Sequence, residues 1–113
     1  SSKSMRLETR TPGADANPYL AIAAALASGL YGIEHKLALN QAAVSGDNQG
    51  AEAVERLPRT LAEATEAFDR SELAREFFGE DFVRHFVQTR QWEVRRFNNS
   101  VTDWELARYL DMV

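Results

Sequence analysis

Met5-Arg6-Leu7-Glu8-Thr9-Arg10 is followed at once by Thr11-Pro12-Gly13-Ala14-Asp15-Ala16 and then by Asn17-Pro18-Tyr19, which opens a long apolar helix. In an extended segment successive side chains point to opposite faces. Arg6, Glu8 and Arg10 therefore share one face, and Met5, Leu7 and Thr9 share the other. Neighbours on one face stand roughly 6.5–7 Å apart, the rise of two strand residues. Two guanidinium forks flanking one carboxylate suit a ligand of mixed charge, an anion held beside a divalent cation. The same three charges could also form an exposed strand face whose ion pairs are weak.

Outward from this stretch, residues 11–16 read as a turn. Asn17 is a good N-cap, and Pro18 falls at the first helical position, where its missing N–H is no loss. The helix expected over about 18–37 is apolar nearly all round, with Ala21, Ala23, Ala24, Ala25, Ala27, Gly29 and Gly32. That density of small residues asks for cover from more than one neighbour. The apolar run falls short of the ~20 residues that span a bilayer, so it reads as a buried helix. Residues 40–56 are polar, carry Ser45-Gly46-Asp47-Asn48 and Gly50, and read as a mobile surface loop.

Four more helices are expected downstream. Thr60-Leu61-Ala62-Glu63 is a capping box for a helix over about 61–68, and Ser71 caps one over about 72–78 that stops near Gly79. A longer helix over about 80–97 carries Val83, Phe86, Val87, Val94 and Phe97 as its inward stripe. Asn98-Asn99-Ser100 breaks it, and the capping box Thr102-Asp103-Trp104-Glu105 opens a last helix over about 103–112. The expected fold is thus mostly α: one N-terminal strand, residues 4–10, followed by about five helices. A lone strand has no partner for its backbone groups. It joins a sheet supplied either by another chain or by sequence upstream.

The 113 residues make one domain at most, and a net charge of −4 argues against nucleic acid or an anionic membrane as the main partner. Arg84, Arg90, Arg95 and Arg96 are interleaved with Glu80, Asp81 and Glu93, the pattern of a solvated or subunit-facing helix surface. The absence of cysteine removes disulfides and thiolate metal sites and fits a cytoplasmic location. His35 and His85 are not at metal-ligand spacing; His35 suits an interaction at its helix C-terminus. Trp92 lies off the inward stripe and meets either another layer of the core or another subunit.

Arg6-Leu7-Glu8-Thr9-Arg10, then Pro12-Gly13-Ala14-Asp15-Ala16-Asn17-Pro18-Tyr19-Leu20, then Gly29-Leu30-Tyr31-Gly32-Ile33 resemble the glutamine synthetase family. So do Leu57-Pro58-Arg59-Thr60-Leu61-Ala62-Glu63-Ala64 and the segment from Val101-Thr102-Asp103-Trp104-Glu105 to Tyr109. By that resemblance the whole chain, residues 1–113, is the C-terminal part of an α+β catalytic domain, about the last quarter of a family member. The wording of Gly13-Ala14-Asp15-Ala16-Asn17 is closest to γ-glutamylpolyamine synthetase-like branches. The loop at 40–56 lacks the tyrosine that some bacterial members adenylylate, so that control is not expected.

The resemblance implies an ATP-dependent ligase that joins the γ-carboxylate of glutamate to ammonia or an amine through γ-glutamyl phosphate. It implies ATP and Mg2+ (or Mn2+) as cofactors of the complete enzyme, and a homo-oligomer. Glu8 then matches a metal ligand, Arg6 a contact to the nucleotide phosphates, and Arg10 a catalytic contact to the glutamate carboxylate or the transferring phosphoryl group. The family's other metal ligands and its nucleotide pocket lie upstream of this stretch. The chain alone is therefore expected to bind no cofactor and to be inactive. The other reading is a non-catalytic helical module, derived from that family, that self-associates or caps a partner.

Overall fold

In the computed structural model of the chain, which describes residues 4, 6–39 and 56–110, Asn17 starts the first helix, α1 (Pro18–Glu34). Its backbone is extended, and its Oδ1 accepts from the N–H groups of Tyr19 at 3.0 Å and Leu20 at 3.3 Å. Before it, residues 13–16 close a turn in which the Ala16 N–H donates to the Gly13 carbonyl at 3.1 Å. A Cβ at Gly13 would stand 2.7 Å from Asp15 Oδ1, so that exposed side chain would have to turn aside.

The expected helix ran to residue 37, but α1 stops at Glu34. Lys36 turns left-handed with φ 51°, its N–H donates to the Ile33 carbonyl at 3.2 Å, and the Leu37 N–H reaches Gly32 at 2.9 Å. This is a Schellman termination, normally made by glycine. No residue of α1 is buried. Tyr19, Ile22, Leu26, Leu30 and Ile33, spaced three or four apart, all stand more than half exposed.

The strand expected over residues 4–10 does not form. Residues 6–10 hold no regular secondary structure, and no strand occurs among the described residues. An alternating sequence says which side chains share a face, but a strand exists only when a neighbour accepts and donates along its backbone. No described segment supplies that ladder. The polar loop at 40–55, Met5 and residues 111–112 of the expected last helix lie outside the described residues.

Residues Ser1–Asn48 and Gln49–Val113 form two separate units. The second holds α2 (Leu61–Arg70), α3 (Glu72–Phe78), α4 (Glu80–Asn98) and α5 (Asp103–Tyr109). Each start has a local cause. Thr60 Oγ1 accepts from the Glu63 N–H at 3.1 Å, while the Glu63 carboxylate reaches back to the Arg59 N–H at 2.8 Å. Ser71 Oγ accepts from Ala74, and Thr102 and Glu105 form a reciprocal capping box. Between α3 and α4 the chain passes through Gly79 at φ 82°, ψ 153°, a region open in practice only to glycine.

α2 and α3 pack on α4 around Ala74, Val83 and Val87, with Phe68 and Phe78 against them. Phe68 meets Phe86 edge-on at 5.5 Å, and Phe82 stacks on Phe86 at 5.7 Å. The one buried polar residue among those described, Thr65, donates its hydroxyl to the Leu61 carbonyl at 2.6 Å. Arg75 ties three elements. Nε donates to Glu80 at 2.8 Å and Nη2 to Asp69 Oδ1 at 3.1 Å, while Nη1 donates to the carbonyls of Asp69 and Ser71. Phe97 departs from the expected inward stripe and is 69% exposed. The cause is length: α2 has 10 residues and α4 has 19, so the end of α4 outruns its cover.

Candidate functional site

Three side chains converge on residues 6–10. Arg10 grips a single oxygen of Glu8, with Nε at 2.8 Å and Nη2 at 2.7 Å from Oε1. Arg6 Nε stands 3.7 Å from the other oxygen, Oε2, an ion pair without a hydrogen bond. The expected common face is realised at the level of the side-chain heads, although the backbone forms no strand. Alternation predicts which residues meet; it gives no signal that the two arginines divide the carboxylate unequally.

The cluster is open. Side-chain exposure is 74% for Arg6, 50% for Glu8 and 87% for Arg10. Ion pairs this exposed contribute about 0–1 kcal/mol, because water screens them. They can therefore be replaced by a ligand without loss of fold. Behind the cluster, the turn at 13–16 and the Asn17 cap join the segment to the start of α1.

Among the described residues no group of three His, Cys, Asp or Glu is placed to hold a metal. Glu8 nonetheless has the donor chemistry for one. Magnesium is commonly held by one or two carboxylates, with phosphate and water oxygens completing its shell. His35 Nδ1, when protonated, donates to the Tyr31 carbonyl at 3.1 Å, and its ring stacks on Tyr31 at 3.9 Å. The arrangement fixes a helix end. Trp92 is about half exposed, with the Arg96 guanidinium 4.9 Å above its ring.

The second unit offers a groove of about 340 Å³ between α2 and α4, lined by Leu61, Ala64, Phe68, Phe86, Val87 and Arg90 among others. Arg90 Nε is buried without an acceptor among the described residues, and its guanidinium lies 5.1 Å from the centre of the Phe86 ring. One cation in an apolar groove brings together no acid–base or nucleophilic pair. The cluster at residues 6–10 is the better candidate for chemistry. No described helix is long and apolar enough to cross a membrane.

The family profile described as the catalytic domain of glutamine synthetase matches residues 1–109. A type-1 glutamine synthetase 2 of Dictyostelium discoideum is 50% identical over 98% of this chain and 22% of its own length. A glutamate–isopropylamine ligase of a Pseudomonas species is 47% identical over 96% of the chain and 24% of its own length. A gamma-glutamylethanolamide synthetase of Streptomyces coelicolor is 42% identical over 94% of the chain and 22% of its own length. The chain thus spans under a quarter of the length of each of these relatives.

Proposed function

The chain belongs to the glutamine synthetase catalytic-domain family, and from that premise we propose that it is the C-terminal part of an ATP-dependent ligase. The reaction joins the γ-carboxylate of glutamate to ammonia or an amine. ATP phosphorylates the carboxylate, and the nitrogen nucleophile then displaces phosphate from the γ-glutamyl phosphate. Two of the three relatives above are named for an alkylamine or an ethanolamide product. That supports an amine acceptor as well as ammonia.

The observation that carries the reading is the convergence of Arg6 and Arg10 on Glu8. In the complete ligase Glu8 would be one carboxylate ligand of the divalent cation, Mg2+ or Mn2+, beside the nucleotide phosphates. When bound, that ion neutralises phosphate charge. Arg6 holds the nucleotide phosphates in position. Arg10 aims a guanidinium at the glutamate carboxylate or at charge that develops on the transferring phosphoryl group, the kind of contact that lowers a barrier most. The exposed apolar stripe of α1 supports packing against further parts of a complete, homo-oligomeric and cytoplasmic enzyme. The 113 residues alone are proposed to be inactive, since Glu8 supplies only one carboxylate.

The test is steady-state kinetics of the complete ligase. Glu8→Ala should raise the divalent-ion concentration needed for half-maximal rate, and Arg10→Ala should lower turnover by about 10²–10³-fold. Unchanged kinetics in both variants would remove the assignment. Phosphate release by the 113-residue chain alone, dependent on magnesium and glutamate, would overturn the claim of inactivity.

A further inference from the structure

The groove between α2 and α4 has apolar walls and a cation that its own unit does not satisfy. Leu61, Ala64 and Phe68 of α2 and Phe86, Val87 and Arg90 of α4 line a space of about 340 Å³. Leu61 is 47% exposed, and Phe68, Phe86 and Arg90 are half-buried, so an occupant has access. Arg90 Nε is buried with no acceptor among the described residues, and the guanidinium lies 5.1 Å from the centre of the Phe86 ring. A buried donor without a partner weighs against the fold, and more so on a charged group. We propose that the groove receives a segment of the same ligase polypeptide from upstream of this chain. That segment presents an Asp or Glu side chain to Arg90 and an apolar side chain to the wall of Leu61, Phe68 and Phe86. The inference rests on the reading of the chain as the C-terminal part of a longer ligase.

Charge, size and chain length together define that occupant. The acids of α2 are engaged elsewhere: the Glu63 carboxylate accepts from the Arg59 N–H at 2.8 Å, Glu66 pairs with Arg70 at 3.0 Å, and Asp69 pairs with Arg75 at 3.1 Å. A carboxylate for Arg90 therefore has to come from outside this helix pair. The space is at the low end of the about 300–1,000 Å³ typical of binding clefts, which suits one or two side chains of a short segment. The chain spans 22–24% of the length of the relatives, so over three quarters of their length lies outside it. A segment tethered in the same polypeptide meets the groove at an effective concentration on the order of mM, whereas a neighbouring copy has to find it from solution.

The consequence is a change of sign. In the 113-residue chain Arg90 is an unmatched buried donor, and an apolar side chain of similar length relieves it. In the complete ligase the occupant covers Arg90 and pairs with it. Removing the guanidinium there strands a buried carboxylate, which is strongly destabilising.

The experiment places one substitution in two backgrounds. Arg90→Met should leave the urea midpoint of the 113-residue chain unchanged or raise it, with tryptophan fluorescence as the readout. In the complete ligase the same substitution should lower the thermal midpoint by about 2 °C or more. A fall in both backgrounds, or none in the complete ligase, overturns the proposal. Arg90→Lys then identifies the occupant: a water-soluble carbodiimide joins a lysine amine to a carboxylate held against it. In the complete ligase the peptide carrying position 90 should be joined to an Asp or Glu upstream of Ser1, in a band at the mass of one polypeptide. No cross-link, or one to an acid within the 113 residues, overturns the proposal. So does a band at twice that mass, which would give the groove to a neighbouring copy. Neither readout involves Glu8 or Arg10, so a failure here is distinct from a failure of the ligase reading, which the kinetics of Glu8→Ala and Arg10→Ala test separately.

Discussion

Arg75→Ala should loosen the packing of α2, α3 and α4. The side chain is one-third exposed and spans two carboxylates, Asp69 at 3.1 Å and Glu80 at 2.8 Å. Each ion pair at this exposure is worth about 0.5 kcal/mol. The guanidinium also donates to the carbonyls of Asp69 and Ser71, at the end of α2 and the start of α3. Water replaces those bonds only in part, which adds about 1 kcal/mol. The total is about 2 kcal/mol, or about 2 M in urea midpoint at a slope near 1 kcal/mol/M. Both tryptophans, Trp92 and Trp104, lie in Gln49–Val113, so their fluorescence reports on this unit in the full chain. Arg75→Lys should recover less than half of the loss, since one ammonium cannot reach three elements. A loss below about 0.5 kcal/mol, or full rescue by lysine, would refute the bridging argument.

Gly79→Ala should cost about 1–3 kcal/mol, although no neighbour lies within 4 Å of the added Cβ, because its φ of 82° strains any side chain; a variant as stable as wild type in urea would contradict this. Lys36→Gly should slow amide exchange at Leu37 by relieving the left-handed turn, with a gain under about 1 kcal/mol, whereas Lys36→Val should speed it. The Thr102 N–H, then its hydroxyl, hold the Glu105 carboxyl below the usual carboxylate range. A depressed folded-state value means that the cap is fully present above the ordinary glutamate value and is lost as pH falls through the depressed one. Carboxyl carbon NMR should give a low midpoint for Glu105 that rises only part of the way toward normal in Thr102→Val, which loses the hydroxyl and keeps the backbone N–H; an ordinary midpoint in wild type would show the box to be open in solution.

Local chemistry in the sequence accounts for most of the helix starts. Asn17, Thr60, Ser71 and Thr102 each have a side-chain oxygen that takes an N–H two or three residues on, and capping depends on little beyond those residues. Helix ends were less legible. The stop after Glu34 depends on Lys36 adopting a glycine-like conformation, which nothing in lysine announces. Burial was legible only where cover exists: Val83 and Val87 are buried, whereas Phe97 on the same stripe is not, because α2 is about half as long as α4. The strand failed as an expectation because pairing is a property of two segments and the sequence pattern describes one. At the candidate site, alternation indicated which side-chain heads meet. The preference of Arg10 for one oxygen depends on side-chain rotation and left no mark in the sequence.

The contrast between the two units bears on how the polypeptide is born. The later unit closes on partners within a few dozen positions of one another, a topology that assembles quickly. The earlier one carries a greasy ridge from Tyr19 to Ile33 that finds no shelter within its own described surroundings. An adhesive, half-finished element stays in view until its cover arrives, which makes this helix a segment that a chaperone would grasp and a cause of clumping if that cover is late.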